Sequence, residues 1–212
     1  MNLDVGYLLA LILIILFSMT IHEAMHAFTS YWLGDNTAKV QGRLTFNPIK
    51  HIDPVLTILM PIMLALAGMP IFGGAKPVPF NPRNLRFGEW GMALVALAGP
   101  LANLLLAFVS FGLWTLAARG GQASLLPQIF AISVSVNLGF FVFNMIPLPP
   151  LDGSRVLYVL APEFVRKGMN FIERFGIMFI FLIILIAGSS IGFFMSFIIN
   201  FFISLFGYIF GL

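Results

Sequence analysis

The chain has 212 residues and a net charge of +3, and its composition excludes the class of soluble globular proteins. Hydrophobic residues make up 60% of it and charged residues only 9%, which is too little polar surface for a protein dissolved in water. The absence of cysteine excludes disulfides and thiolate metal ligands. The small positive charge lies mainly in connecting segments, so no nucleic-acid footprint is visible. We predict an all-α polytopic membrane protein with about four to six membrane helices in a lipid bilayer.

The first apolar run, residues 5 to 33, predicts a membrane helix that ends at Gly34 and Asp35. About 20 residues are enough to cross a bilayer core of about 30 Å. The run is too long, and too polar at its far end, for a removable signal peptide. It also lacks a basic start, so we expect it to remain in the mature protein.

The next two segments are harder to assign. Residues 37 to 54 are too polar to cross a membrane, and their short alternation of β-branched and aromatic residues predicts a small β-hairpin or an irregular surface segment. Residues 55 to 72 are apolar but interrupted by two prolines and a glycine, so they either span the membrane or re-enter it. Residues 73 to 87 are proline-spaced, which predicts an extended chain.

Further helices are predicted over residues 90 to 118 and 125 to 146, followed by a short helix in the proline-broken stretch 147 to 162. The final apolar stretch, 175 to 210, would extend about 54 Å as one helix, which exceeds a membrane thickness. We therefore predict a break near Gly188.

Lysine and arginine positions favour the re-entrant alternative for residues 55 to 72. If that segment spans, the first two basic clusters fall on opposite faces. If it re-enters, ten of the eleven basic residues share one face, which the positive-inside rule makes cytoplasmic. These ten residues are Lys39, Arg43, Lys50, Lys76, Arg83, Arg86, Arg155, Arg166, Lys167 and Arg174.

The sequence HEAMH near the end of the first helix carries the chemistry. His22 and His26 are four residues apart, so their imidazoles lie on one helix face and can bind one metal ion. Glu23 lies beside them as a carboxylate that can take a proton from water at the metal. The alternative is a polar cluster satisfied by neighbouring backbone, but ionisable residues at membrane depth are by default functional.

A catalytic zinc needs a third protein ligand. His22 lies about 25 Å along the helix from Val5, inside the bilayer core and toward its cytoplasmic end. Asp152 reaches the same depth in the predicted topology and is the remaining intramembrane candidate. An N-cap for a helix beginning near Gly153 is the alternative role for Asp152.

Three motifs, HEAMH, ALAGPLANLLLA and NMIPLPPLDG, occur in this order and resemble the site-2 protease family of intramembrane zinc metalloproteases. The stretches GRLTFNPIKHIDP and GGAKPVPFNPRNLR are similar to those of compact prokaryotic members without PDZ or CBS domains. The resemblance covers residues 15 to 160. It implies one Zn²⁺ per chain on His22, His26 and Asp152, with Glu23 as general base, Asn144 holding substrate backbone and Asn103 lining the active site.

The resemblance also implies an activity and a location. The expected reaction is hydrolysis within or near transmembrane segments of membrane-protein substrates, as in regulated intramembrane proteolysis. The expected location is the cell membrane, with the active site toward the cytoplasmic side. We expect a single domain over residues 1 to 212, with a catalytic core at about 5 to 160 and C-terminal helices at 165 to 212. The oligomeric state stays open.

A physical reason supports the asparagine roles. A substrate helix must unwind before cleavage, and its freed N–H and C=O groups then need partners that an amide side chain can supply. The alternative for Asn103 and Asn137 is hydrogen bonding between helices. Residues 37 to 46 are a further candidate, as an exposed edge to which a substrate strand adds.

Two other classes of protein use similar residues. A zinc or proton transporter would line its path with the same histidines and carboxylates. It would also need an acidic relay toward the far side, whereas the intramembrane carboxylates are Glu23 and Asp152 alone. A catalytically silent membrane scaffold is the third possibility, which the intact HExxH and LDG motifs oppose.

Overall fold

A computed structural model describes residues 5–66, 74–119 and 125–212, and within these ranges the chain is helical without a β-strand. Four of the described helices, α1, α4, α5 and α8, are long and apolar enough to cross a membrane. The prediction of an all-α polytopic membrane protein is therefore confirmed. The helices are α1 Val5–Trp32, α2 Thr37–Val40, α3 Met60–Leu66, α4 Glu89–Arg119, α5 Leu126–Asn144, α6 Asp152–Leu160, α7 Glu163–Glu173 and α8 Ile177–Phe210.

Helix α4 is the centre of the structure. It packs against α1, α5 and α6, and its buried positions run along most of its length. A cluster of apolar side chains joins it to α5 and α8 through Phe111, Leu138 and Phe206. The site described below lies on the side of α4 that faces α1 and α6.

The last apolar stretch breaks where its length predicts. Ala187 has non-helical backbone angles, φ −119° and ψ 15°, inside α8, one residue before the predicted break at Gly188. Helix α7, which precedes α8, exposes Phe164 and Phe171.

The predicted β-hairpin in residues 37 to 54 is wrong. This range holds α2 and a single 3₁₀ turn, Pro48–Lys50. Asp35 accepts hydrogen bonds from the backbone N–H and the hydroxyl of Thr37, at 3.2 and 2.6 Å, where α2 begins. Asn47 accepts from the N–H of Ile49 and starts the 3₁₀ turn. These local side-chain bonds compete with a strand ladder, and alternation alone does not reveal them.

Residues near the two ends of the apolar segment after the 3₁₀ turn are hydrogen-bonded to each other. Gly74 donates its N–H to the carbonyl of Leu56 at 3.0 Å and accepts from the Thr57 hydroxyl at 2.6 Å. The start and the end of the segment therefore lie side by side, which favours the re-entrant prediction over a crossing. Gly68 and Pro70, two of its predicted interruptions, lie outside the described residues.

Residues 74–81 form a segment without helix or strand, called the strap below, that is clamped to the end of α1 by Asp35. The buried Asp35 carboxylate accepts from the N–H of Asn81 at 2.8 Å and from the side chain of Asn84 at 3.0 Å. Burial alone would raise the pKa of Asp35. The hydrogen bonds from Thr37, Asn81 and Asn84 outweigh it and hold this pKa below its usual value.

We expect Asp35→Ala to lower the free energy of unfolding by about 2 to 4 kcal/mol at pH 7, because it leaves several buried donors unpaired. The control is Asn36→Ala, since Asn36 is exposed and makes no capping bond. Because folding depresses the Asp35 pKa, its stabilisation is full at neutral pH and is lost progressively as the pH falls below about 4 and through the folded-state pKa. Unfolding of wild type and variant in detergent at pH 7 and pH 3 measures both effects. Equal stability at pH 7 would contradict the clamp.

Candidate metal centre

The two histidines of HEAMH meet the aspartate of the LDG motif in the interior of the protein. His22 and His26 are both buried, and their Nε2 atoms are 3.0 Å apart. Asp152 Oδ2 lies 3.2 Å from His22 Nε2 and 3.4 Å from His26 Nε2. The structure therefore brings together all three predicted metal ligands, which come from α1 and the start of α6.

Hydrogen bonds on the outer side of each imidazole determine where its proton lies. His22 Nδ1 bonds to the side-chain oxygen of Asn103 at 2.6 Å, and His26 Nδ1 bonds to the carbonyl oxygen of Val95 at 2.7 Å. Because a carbonyl oxygen only accepts, each Nδ1 carries a hydrogen and donates it. In the neutral imidazoles each Nε2 then presents a lone pair to the interior.

Three electron-pair donors thus converge on one point. The pairs repel unless a cation lies between them, and Asp152 Oδ2 has no hydrogen-bond partner although it is buried. With zinc bonds of 2.0 to 2.1 Å, neighbouring ligand atoms of a tetrahedral site are about 3.3 Å apart. The three observed distances between the ligand atoms, 3.0, 3.2 and 3.4 Å, are close to that value. The donor set therefore fits zinc.

Helix α4 leaves room for an ion at this point. A side-chain carbon added to Gly99 would lie 2.5 Å from His26 Nε2 and 2.8 Å from His22 Cε1. Val95, Gly99 and Asn103 are spaced by four residues and share one face of α4. This face, called the α4 wall below, supplies one acceptor for each histidine and a gap between them.

Asp152 reaches the histidines as the first residue of α6. Leu151 is the N-cap of this helix, and the helix has no side-chain cap. The N-cap alternative for Asp152 is therefore wrong. The next residue is glycine for a steric reason, because a side-chain carbon at Gly153 would lie 2.3 Å from the carbonyl oxygen of Met145. The start of α6 thus packs closely on the two residues that follow α5, and α6 itself packs against α4.

The predicted base, Glu23, lies beside the ligands and is half-buried. Its Oε2 accepts a hydrogen bond from the N–H of Val78 in the strap at 3.1 Å. No described residue bonds to its Oε1. One carboxylate oxygen is thus held by the strap and the other is free to accept a proton.

A polar group of loop residues braces the strap behind Glu23. Lys76 donates its N–H to the carbonyl of His51 at 2.9 Å, and Arg43 donates to the carbonyl of Lys76. His51 is fully buried and donates from Nε2 to the carbonyl of Thr45 at 2.8 Å. Burial and the nearby positive charge of Arg43 lower the pKa of His51, so this imidazole is neutral at pH 7.

The three asparagines occupy different environments. Asn103 is fully buried, and its nitrogen donates to the carbonyl of Ser18 and to the side-chain oxygen of Asn137. The predicted alternative of a hydrogen bond between helices is thus present for Asn103 and Asn137. Asn103 has no exposed surface from which to reach a substrate. Asn144 is half-buried and donates to the carbonyl of Phe140 at 2.9 Å, while its oxygen accepts no bond from the described residues.

The predicted substrate edge at residues 37 to 46 is absent, because Val40 closes a helix there. The backbone that bonds to Glu23 belongs to the strap instead. The sequence did not predict the roles of Val78 and Val95. These residues act through a backbone N–H and a backbone carbonyl, which do not depend on the identity of the side chain. The sequence analysis also did not use Gly99. Its position four residues before Asn103, on the same helix face, could have indicated that space is needed there.

Comparisons with known proteins agree with this chemistry. No family model and no solved structure matches the chain. It is 43% identical over 188 residues to a Bacillus subtilis protein named "Putative zinc metalloprotease YwhC", which covers 85% of this chain and 83% of the relative. It is 31% identical to "Putative zinc metalloprotease Rip2" of Mycobacterium tuberculosis, over 85% of this chain and 68% of the relative. The Rip2 of Mycolicibacterium smegmatis is 35% identical over 71% of this chain and 57% of its own length. With most of both chains matched to YwhC, the protein belongs to the zinc metalloprotease family that includes YwhC and Rip2.

Proposed function

We propose that the protein is an intramembrane zinc metalloendopeptidase of the site-2 protease type, which hydrolyses peptide bonds within or near transmembrane segments of other membrane proteins. The observation that carries the proposal is the convergence of His22, His26 and Asp152 next to Glu23, one of whose carboxylate oxygens bonds to no described residue. The depth of the histidines on α1 supports a site inside the bilayer. The basic residues of the connecting loops support an active site toward the cytoplasmic side of the cell membrane.

The residues of the chain divide the chemistry between them. When bound, zinc acidifies water and polarises the scissile carbonyl as a Lewis acid. Glu23 accepts the proton of the attacking water at Oε1, while Val78 keeps the carboxylate from rotating away. Glu23 then returns the proton to the leaving amine. His22 and His26 are left to bind through Nε2, because their Nδ1 hydrogens are bonded to the α4 wall.

The substrate must present an unwound backbone to this site. Asn144, whose amide oxygen and second N–H bond to none of the described residues, is the side chain proposed to hold that backbone. Asn103 is not proposed as a direct contact because it is buried behind His22.

A transporter remains the alternative function, and the described residues favour the protease. A proton or metal path needs further titratable groups in sequence across the bilayer. Among the described residues, the candidate metal cluster is confined to His22, His26 and Asp152.

We expect Glu23→Gln to retain zinc but to lose cleavage, because glutamine keeps the shape of the side chain and cannot accept a proton. The measurement is incubation of the detergent-solubilised protein with a panel of single-span membrane proteins, alongside metal analysis. Glu163→Gln, at an exposed glutamate of α7, is the matched control. Cleavage by the Glu23 variant at the wild-type rate would contradict the proposed base.

Asp152→Ala and His22→Ala are expected to lower zinc content to well below one ion per chain, because each leaves only two protein ligands. Metal analysis of the purified variants provides the measurement. Removal of zinc from wild type with a chelator should abolish cleavage, and added zinc should restore it. If cleavage continues after complete zinc removal, the metalloprotease proposal is wrong.

Gly99→Ala is expected to abolish zinc binding while α4 stays helical, because alanine favours helix but its methyl carbon would lie against both imidazoles. The matched control is Gly139→Ala, since a side-chain carbon at this helical glycine of α5 meets nothing within 4 Å. Zinc content and helical circular dichroism are measured together. Full zinc content in Gly99→Ala would show that the metal lies elsewhere.

A further inference from the structure

A chain of hydrogen bonds leads from the metal ligand His22 across three helices. His22 Nδ1 donates to Asn103 Oδ1 on α4 at 2.6 Å, and Asn103 Nδ2 donates to Asn137 Oδ1 on α5 at 2.9 Å. Asn137 Nδ2 then donates to the backbone carbonyl of Ser133 at 2.9 Å. Both asparagines are buried, with 0% and 1% of their surface exposed. We call His22, Asn103, Asn137 and the Ser133 carbonyl the relay.

Two backbone carbonyls determine the direction of every bond in the relay. The Ser133 carbonyl can only accept, so Asn137 must turn its nitrogen to Ser133 and its oxygen to Asn103. Asn103 must then present its nitrogen to Asn137. The Ser18 carbonyl, 3.3 Å from the same nitrogen, requires the same orientation.

The orientation of Asn103 determines which nitrogen of His22 carries the hydrogen. With its nitrogen committed, Asn103 has only its oxygen to offer to His22, so His22 must carry its hydrogen on Nδ1. The opposite tautomer would place a bare Nδ1 against an oxygen lone pair and a hydrogen where the metal should bind. The tautomer of His22 is thus determined by backbone atoms of α1 and α5.

We propose that Asn103 and Asn137 are positioning residues that set the zinc affinity of the site by holding His22 in its metal-binding tautomer; this rests on the zinc site of the proposed function. The three bonds all point the same way, so each polarises the next and increases the electron density at His22 Nε2. Partners of this kind behind a metal-bound histidine typically change metal affinity by about 10- to 100-fold.

The test measures the zinc dissociation constant of the full-length protein in detergent by competition with a coloured chelator. Asn103→Leu removes the acceptor for His22 and should weaken zinc binding by about 10- to 100-fold. Asn137→Leu should weaken it less, because the Ser18 carbonyl still orients Asn103. Asn200→Leu, at an exposed asparagine of α8, is the matched control and should leave the constant unchanged.

A conservative variant separates positioning from a purely structural role. In Asn103→Asp, a carboxyl oxygen replaces the amide oxygen at the same place, so it still accepts the hydrogen of His22 Nδ1. Zinc affinity should therefore return toward the wild-type value, even if the metal-free protein is less stable. A purely structural role predicts instead that all three relay variants lose stability while the folded protein keeps its zinc affinity.

The outcomes are distinct. Unchanged zinc affinity in Asn103→Leu overturns the proposal, and if that variant does not fold, unchanged affinity in Asn137→Leu overturns it. The visible absorption spectrum of Co²⁺ substituted for zinc gives a second readout. If a relay variant loses His22 as a ligand, the absorption bands of its bound Co²⁺ shift relative to wild type. If wild type binds zinc and the relay variants weaken it but no substrate is cleaved, the relay stands and the protease proposal fails.

Discussion

The site depends on one constraint: the Nδ1 hydrogens of His22 and His26 both point away from the ligand centre. Each is bonded to a carbonyl-type oxygen that cannot donate, so the two Nε2 lone pairs face each other at 3.0 Å. The approach of the Asp152 carboxylate adds negative charge to the same point. Such an arrangement is unfavourable without a cation. Protons can relieve it, but the tetrahedral spacing of the three atoms is what a zinc ion requires.

Helix α4 accounts for most of that constraint. In a bilayer core there is no water to hydrogen-bond to a polar group, so each donor near the site needs an acceptor inside the protein. Val95 and Asn103 supply acceptors on one face, and Gly99 between them keeps that face open. The central helix thus acts as a template for ligands that come from α1 and α6.

The sequence predicts those features of the structure that depend on residues close together in the chain, and not those that depend on tertiary contacts. The membrane helices and HEAMH were predictable because run length and four-residue spacing are local properties. Asp152 was found by matching its depth to that of His22. The hairpin failed because the bonds of Asp35 and Asn47 create helical turns that alternation does not show. The roles of Val78 and Val95 could not be predicted, since main-chain atoms carry them and tertiary packing alone places them.

The ligands and the base are supported by different parts of the chain. His22, His26 and Asp152 are held by the packing of helices, whose buried contacts resist displacement. Glu23 shares α1 with the histidines, but its carboxylate is oriented by the strap, and the strap is clamped by loop residues such as Asp35. The orientation of the base therefore depends on contacts other than those that hold the metal ligands.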